Sequence, residues 1–149
     1  MAVTASGLFV ATFVDLLDTT QLAIDLDLET HKGALFSDTI TPNFTTDTAY
    51  GVTPYDANEV SGTGWAAGGV ALAGTAFTGS AGTATFDATD VSVATTTLTN
   101  AMCYVLYADA LVGNNAIVLV DFGTAYSTVA GTFAITWSAS GIWYVDLTP

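Results

Sequence analysis

The sequence predicts an all-β protein: an antiparallel β-sandwich, jelly-roll-like, with one short N-terminal helix. Two observations carry this. Beyond Gly69, seven short runs rich in Val, Thr, Tyr, Phe and Trp recur at intervals of about ten residues, with Gly, Asn, Asp or Ser between them. Within several of these runs apolar and polar residues alternate, as a half-buried strand requires.

The elements follow in order. In residues 5–17, Leu8, Phe9, Phe13, Leu16 and Leu17 share one face of a helix, so a helix is expected there. At Gln21 the period changes: Leu22, Ile24, Leu26 and Leu28 alternate with Ala23, Asp25 and Asp27, which predicts a strand over 21–28. A second strand is expected over 31–37, closed by Thr41-Pro42-Asn43, where Pro42 lacks a ladder donor. Residues 41–69 carry two prolines and several glycines and predict a long, ordered loop, a kind of segment that is often functional. Strands are then expected over 70–77, 81–86, 91–98, 102–108, 116–122, 132–137 and 142–147. The run Ile117-Val118-Leu119-Val120 is apolar on both faces and fits a central strand covered twice. Gly113-Asn114-Asn115 reads as a hairpin connection, since both residue types tolerate positive φ. No linker or internal repeat divides the 149 residues, so one domain is expected over 1–149.

Charge excludes several functions. Fourteen acids stand against one base, a net charge of −13, and nucleic-acid binding depends on Lys and Arg neutralising phosphates. Lys32 alone cannot supply that, nor can it hold an anionic membrane surface. The longest apolar run, 8–17, is broken by Thr12 and Asp15, too short to span a bilayer. It also lacks the basic flank of a secretory signal. At a typical separation of ~23 Å on a protein of this mass, the net charges sit well beyond the ~8 Å Debye length of physiological salt, so their repulsion is mostly screened. Cohesion is therefore expected from packing and backbone hydrogen bonds.

The inventory for catalysis is thin: one His, one Lys, one Cys and no Arg. His31 is expected as a surface or hydrogen-bonded histidine, and Cys103, alone in an apolar run, as a buried hydrophobe. Gly79-Ser80-Ala81-Gly82 fails as a nucleophile elbow because Thr78 stands where its first glycine belongs. The Gly62-Thr63-Gly64 and Gly68-Gly69 pairs lack the lysine and following helix of a phosphate loop. Asp25, Asp27 and Glu29 would share one face of their strand, successive members ~7 Å apart. Asp87 and Asp90 bracket a turn and are the better calcium candidates by geometry, although solvated acids are the simpler expectation; no metal and no cofactor is expected. Trp137 and Trp143 fall in strands and are expected in the core, although aromatic side chains can also stack on sugars.

A longer pattern runs through Lys32-Gly33-Ala34-Leu35-Phe36 and Thr41-Pro42, then Tyr55-Asp56-Ala57-Asn58-Glu59-Val60-Ser61-Gly62-Thr63-Gly64-Trp65-Ala66-Ala67-Gly68-Gly69-Val70-Ala71-Leu72. It continues in Phe86-Asp87-Ala88-Thr89-Asp90-Val91, Val120-Asp121-Phe122-Gly123, Gly131-Thr132-Phe133-Ala134-Ile135-Thr136-Trp137 and Ser140-Gly141-Ile142. Over about residues 8–147 the chain resembles a family of small structural proteins of tailed bacteriophages that look like capsid decoration, or cement, proteins. It departs from that pattern at Val93, where an aromatic is expected, and at Thr89 in the Asp-rich turn. The resemblance implies a non-enzymatic virion protein, made in the host cytoplasm, that binds the major capsid protein on the capsid exterior and bridges its subunits. A homo-oligomer on that surface fits the same picture. The expected contact surface is the loop 41–69, with Tyr50, Tyr55 and Trp65 as anchors; the plainer alternative is that they cap the sandwich. The runner-up function is a tail-associated or host-surface module presenting aromatics to glycans.

Overall fold

The computed structural model describes residues 3–18 and 22–148. About half of the chain is strand and 6% is helix, all sheet pairing is antiparallel, and the predicted all-β class holds.

In chain order the elements are β1 (Gly7–Leu8), α1 (Val10–Leu17), β2 (His31–Phe36), β3 (Glu59–Val60), β4 (Val70–Ala71), β5 (Ala76–Ser80), β6 (Thr83–Asp87), β7 (Val91–Ala108), β8 (Ala116–Ile135) and β9 (Trp143–Asp146). The larger sheet runs β1-β8-β7-β2-β3, with β4 also paired to β2; the smaller runs β5-β6-β9. Leu35 and Leu106 on the larger sheet share one apolar cluster with Phe86 and Trp143 of the smaller, so the two sheets enclose a core between them. The opposite face of the larger sheet carries Ala34, Phe36, Cys103, Val105, Tyr107 and Leu119, and it is covered by Phe9, Ile40, Tyr55 and the surrounding loop. β2 is accordingly buried on both faces and reads as an apolar run.

β7 and β8 are far longer than the sequence suggests. The expected breaks at 99–101 and 123–131 are not turns between strands; the ladder continues through them with register shifts. Asn100, Gly123 and Ala130 take positive φ there, so residues that punctuate the sequence serve as bulges inside continuous strands. The bulges bend the pair back on itself. Phe122 and Phe133 would lie ~36 Å apart along a straight strand, yet their ring centroids are 6.1 Å apart. Trp137, just past the end of β8, returns to within 5.7 Å of Tyr104. The second limb thereby supplies Val91, Phe133 and Ile135 to the core between the sheets.

Three further expectations are corrected. The helix begins at Val10, not residue 5, because Gly7 and Leu8 pair with Leu119 and Val118, and the Phe9 N–H donates to the Ile117 carbonyl. Residues 22–28 form no strand: the Asp25 carboxylate accepts the N–H groups of Asp27 and Leu28, each at 3.0 Å, and Glu29 accepts that of Asp25. Short acidic side chains compete with a ladder for the backbone donors, and here they win. Gln21 itself lies outside the described residues. The expected strand 70–77 is two strands in different sheets, divided at Gly74, whose φ is +61°. The hairpin connection at 113–115 is present, with Asn114 at φ +47°.

Candidate functional site

The loop 41–69 is folded onto the larger sheet rather than laid over the surface. A turn starts it: the Asn43 N–H donates to the Asp47 carboxylate at 2.7 Å, and the same oxygen accepts the Tyr55 hydroxyl at 3.0 Å. That bond points the Tyr55 ring inward, edge-on to Phe9 and Phe36 at 5.7 and 5.5 Å, and leaves it 2% exposed. Farther along, Glu59 ties the loop together, its two carboxylate oxygens accepting the Tyr50 hydroxyl at 2.8 Å and the Gly68 N–H at 2.6 Å. The Gly68 carbonyl accepts the Tyr107 hydroxyl at 2.7 Å, and the Tyr50 ring stacks on Tyr107. Burial, then the adjacent Glu59 carboxylate, pushes the Tyr50 phenol up to about 12.

This geometry corrects the anchor expectation. Trp65 is wholly buried, its ring edge-on to Phe133 at 5.5 Å, and Tyr55 is nearly so. Neither presents surface to a partner; both hold the loop to its own sheet, and Tyr50 alone of the three keeps partial exposure. The distinctive block from Asn58 to Gly69 acquires a structural meaning. Asn58 and Gly64 take positive φ, and a Cβ at Gly62 would lie 2.2 Å from the Thr97 carbonyl oxygen, so the turn can press against β7 only with glycine there. Glu59 was not singled out by sequence reasoning; a lone acid in a glycine-rich stretch carries no periodic signal.

The chemistry-bearing residues are dispersed. His31 is buried against Phe86, Nε2 lying 3.0 Å from the Asp25 carbonyl oxygen, while Cys103 faces the opposite side of the same sheet. The two cannot meet. Burial, then the Asp121 charge, pushes the Cys103 thiol up to about 12, so it is a packed apolar group rather than a nucleophile. Lys32 pairs with Asp109 at 3.0 Å. Asp87 accepts the Ala88 N–H and Asp90 accepts the Trp137 N–H, each at 2.9 Å. Each of the two carboxylates thus holds local backbone through one of its oxygens. Among the described residues no three His, Cys, Asp or Glu side chains gather as a metal site would require. Trp143 lies in the core, whereas Trp137 is only partly buried and lines a groove.

Comparison with family models, with characterised proteins and with solved structures finds no match to this chain. What the surface can do must be read from the molecule itself. Two grooves stand out. One, of about 680 Å³, lies between α1, residues 24–27 and the smaller sheet, and is walled by Phe13, Leu26, Phe77, Trp143 and Val145. The other, of about 620 Å³, occupies the crook of β8, where Phe122, Tyr126, Phe133 and Trp137 stand among Ser and Thr hydroxyls, with no charged side chain in its lining.

Charge is distributed unevenly along the chain. Between Asp90 and Asp146 the only acids are Asp109 and Asp121, so β7 and β8 beyond Asp121 are free of charge in a molecule of net charge −13. That signal stands in the sequence, but its meaning depends on knowing that those residues form one ribbon.

Proposed function

We propose that the protein is a non-enzymatic structural component of a phage particle, a decoration or cement protein that binds the outer surface of the head and bridges neighbouring capsid subunits. The observation that carries the reading is the charge of the folded surface. The single lysine is paired with Asp109, and His31 is buried, so the charge on the 7467 Å² surface is almost entirely that of carboxylates. Such a surface is repelled by packaged DNA and suits the outside of a shell. The separation of His31 from Cys103, and the use of acids as backbone caps, support a structural rather than a chemical role. The family resemblance points the same way.

The test is location. Purified particles labelled by an antibody against this chain, or imaged by cryo-EM, should show it on the head exterior in contact with the major capsid protein. Density on the tail would favour the glycan-binding module, and density on the inner wall would overturn the reading.

A further inference from the structure

In the crook where β8 doubles back, aromatic rings and hydroxyls are interleaved around one groove of about 620 Å³. The rings are fixed by the protein itself. Trp137 donates its indole N–H to the Thr89 carbonyl at 3.2 Å and its backbone N–H to Asp90 at 2.9 Å, and its ring stands edge-on to Tyr104. Phe133 is buried against Trp65 and packs on Phe122, which in turn meets Tyr126 edge-on at 6.0 Å. Tyr126 is 49% exposed, and Phe122 and Trp137 are half-buried. The hydroxyls of the lining keep hydrogen-bonding capacity. Thr132 and Thr136 are exposed and bond to no described residue. Ser127 and Ser138 each accept a backbone N–H, from Asn100 at 3.0 Å and from Ser140 at 3.2 Å, which leaves each O–H free to donate.

We propose that this groove binds an uncharged pyranose oligosaccharide, its C–H faces stacked on Tyr126 and Trp137 and its hydroxyls bonded to Thr132, Thr136 and Ser138. The mixture of side chains selects the class. A wholly apolar ligand would cover these hydroxyls without pairing them, at a cost for each one, whereas a sugar ring is apolar on its faces and hydroxylated at its rim, which matches rings set between hydroxyls. A nucleotide base would stack as well, but it arrives with phosphate at a molecule of net charge −13. Asp90 beneath Trp137 and Asp121 beside Phe122 likewise disfavour sulfated or uronic sugars. Proline-rich peptides also dock in aromatic grooves. Their backbone carbonyls call for N–H donors, and the Trp137 indole N–H is already given to Thr89. The inference does not rest on where in a particle the protein sits, so the isolated chain tests it and either reading can fail alone.

The test is titration of the purified full chain with maltohexaose, cellohexaose and chitohexaose, followed by calorimetry and by tryptophan emission. Trp65 and Trp143 are buried, so the emission change should come from Trp137: a saturable blue shift with protection from acrylamide. Tyr126→Ala should weaken binding about tenfold, the scale of one lost ring contact, and Tyr126→Phe should retain most of it. Thr136→Val, which keeps the shape and removes the hydroxyl, should weaken it about fivefold. Trp137→Phe should abolish the emission change, while Tyr144→Ala, a similarly exposed tyrosine outside the groove, should leave the affinity unaltered. Melting temperatures of the variants separate lost binding from lost folding. Co-sedimentation with insoluble cellulose and chitin distinguishes a polymer surface from a free oligosaccharide, and binding in either arm supports the proposal. No saturable binding to any of these sugars overturns it, as does binding indifferent to Tyr126→Ala and Thr136→Val. Tighter binding of a sulfated or uronic oligosaccharide than of its neutral counterpart, or preference for a polyproline peptide over every sugar, overturns it equally.

Discussion

Gly33 on β2 makes room for the ring of its neighbour's Tyr104: a Cβ at position 33 would lie 1.7 Å from Tyr104 Cζ and 2.0 Å from its hydroxyl oxygen. Tyr104 is wholly buried in the centre of β7, paired with Val120 on one side and Leu35 on the other, so the ring has nowhere to go. Gly33→Ala should therefore destabilise by about 3 kcal/mol, near the upper end of overpacking costs. Tyr104→Leu should recover part of that loss in the double variant. Urea unfolding of the four proteins measures both; an unperturbed Gly33→Ala midpoint would show that the sheet can shift at this point.

Trp65 locks the loop 59–69 against the second limb of the β7/β8 ribbon through Phe133. Trp65→Ala should lower stability by roughly 3–5 kcal/mol, the range for truncating a large buried aromatic. It should also increase hydrogen exchange at Gly62 and Thr97, whose backbones the turn holds in place. A variant that melts like the parent would show that the Trp65 ring does not hold the loop to the ribbon.

Alkali should unfold the protein in a defined window. Burial, helped by Glu59, raises Tyr50 from 10.0 to about 12, and burial raises Cys103 from 9.0 to about 12. Tyr55, Tyr104 and Tyr107 are raised as well, each first by burial. A group whose folded pKa is raised adds stability that is whole below its unfolded value and is lost as pH climbs to the folded one. Melting temperature should thus hold level through neutral pH and fall between about pH 9 and 12, with the buried tyrosines Tyr55, Tyr104 and Tyr107 ionising at the unfolding transition rather than before it. Glu59→Gln should move the onset of Tyr50 ionisation down. Ionisation of Tyr55, Tyr104 or Tyr107 near pH 10 in the folded state, followed in a Tyr126→Phe/Tyr144→Phe background that removes the two exposed phenols, would contradict the buried cluster.

The class of fold was legible because alternation and turn residues report the local surface a strand presents, as in 102–107 and 117–120. Residues 22–28 alternate equally well, but side-chain oxygens of Asp25 and Glu29 capture the backbone donors first, and period alone cannot register that competition. Asn100, Gly123 and Ala130 show the reverse case: turn-forming residues absorbed as bulges once a long partner strand holds both sides. For the site, the aromatics of 41–69 were visible and their direction was not. Whether Tyr55 faces in or out is decided by Asp47, eight positions earlier, and Trp65 by Phe133 on another limb.

The bend of β8 also sets the order in which the molecule can come together. Val120 and Tyr104 meet through one hairpin, a comparatively local event, but Trp137 reaches Tyr104 only after the strand has doubled back, and Trp143 must then pair beside Phe86. β1 is stitched to β8 across more than a hundred positions. Closing such loops precedes any gain from the contacts, so folding should be slow, with the hairpin of β7 and β8 forming first and the smaller sheet last. During that interval the uncharged ribbon stands open without its second limb in place, and a cell making the protein in quantity must either keep neighbouring chains apart or let them join along the same strand.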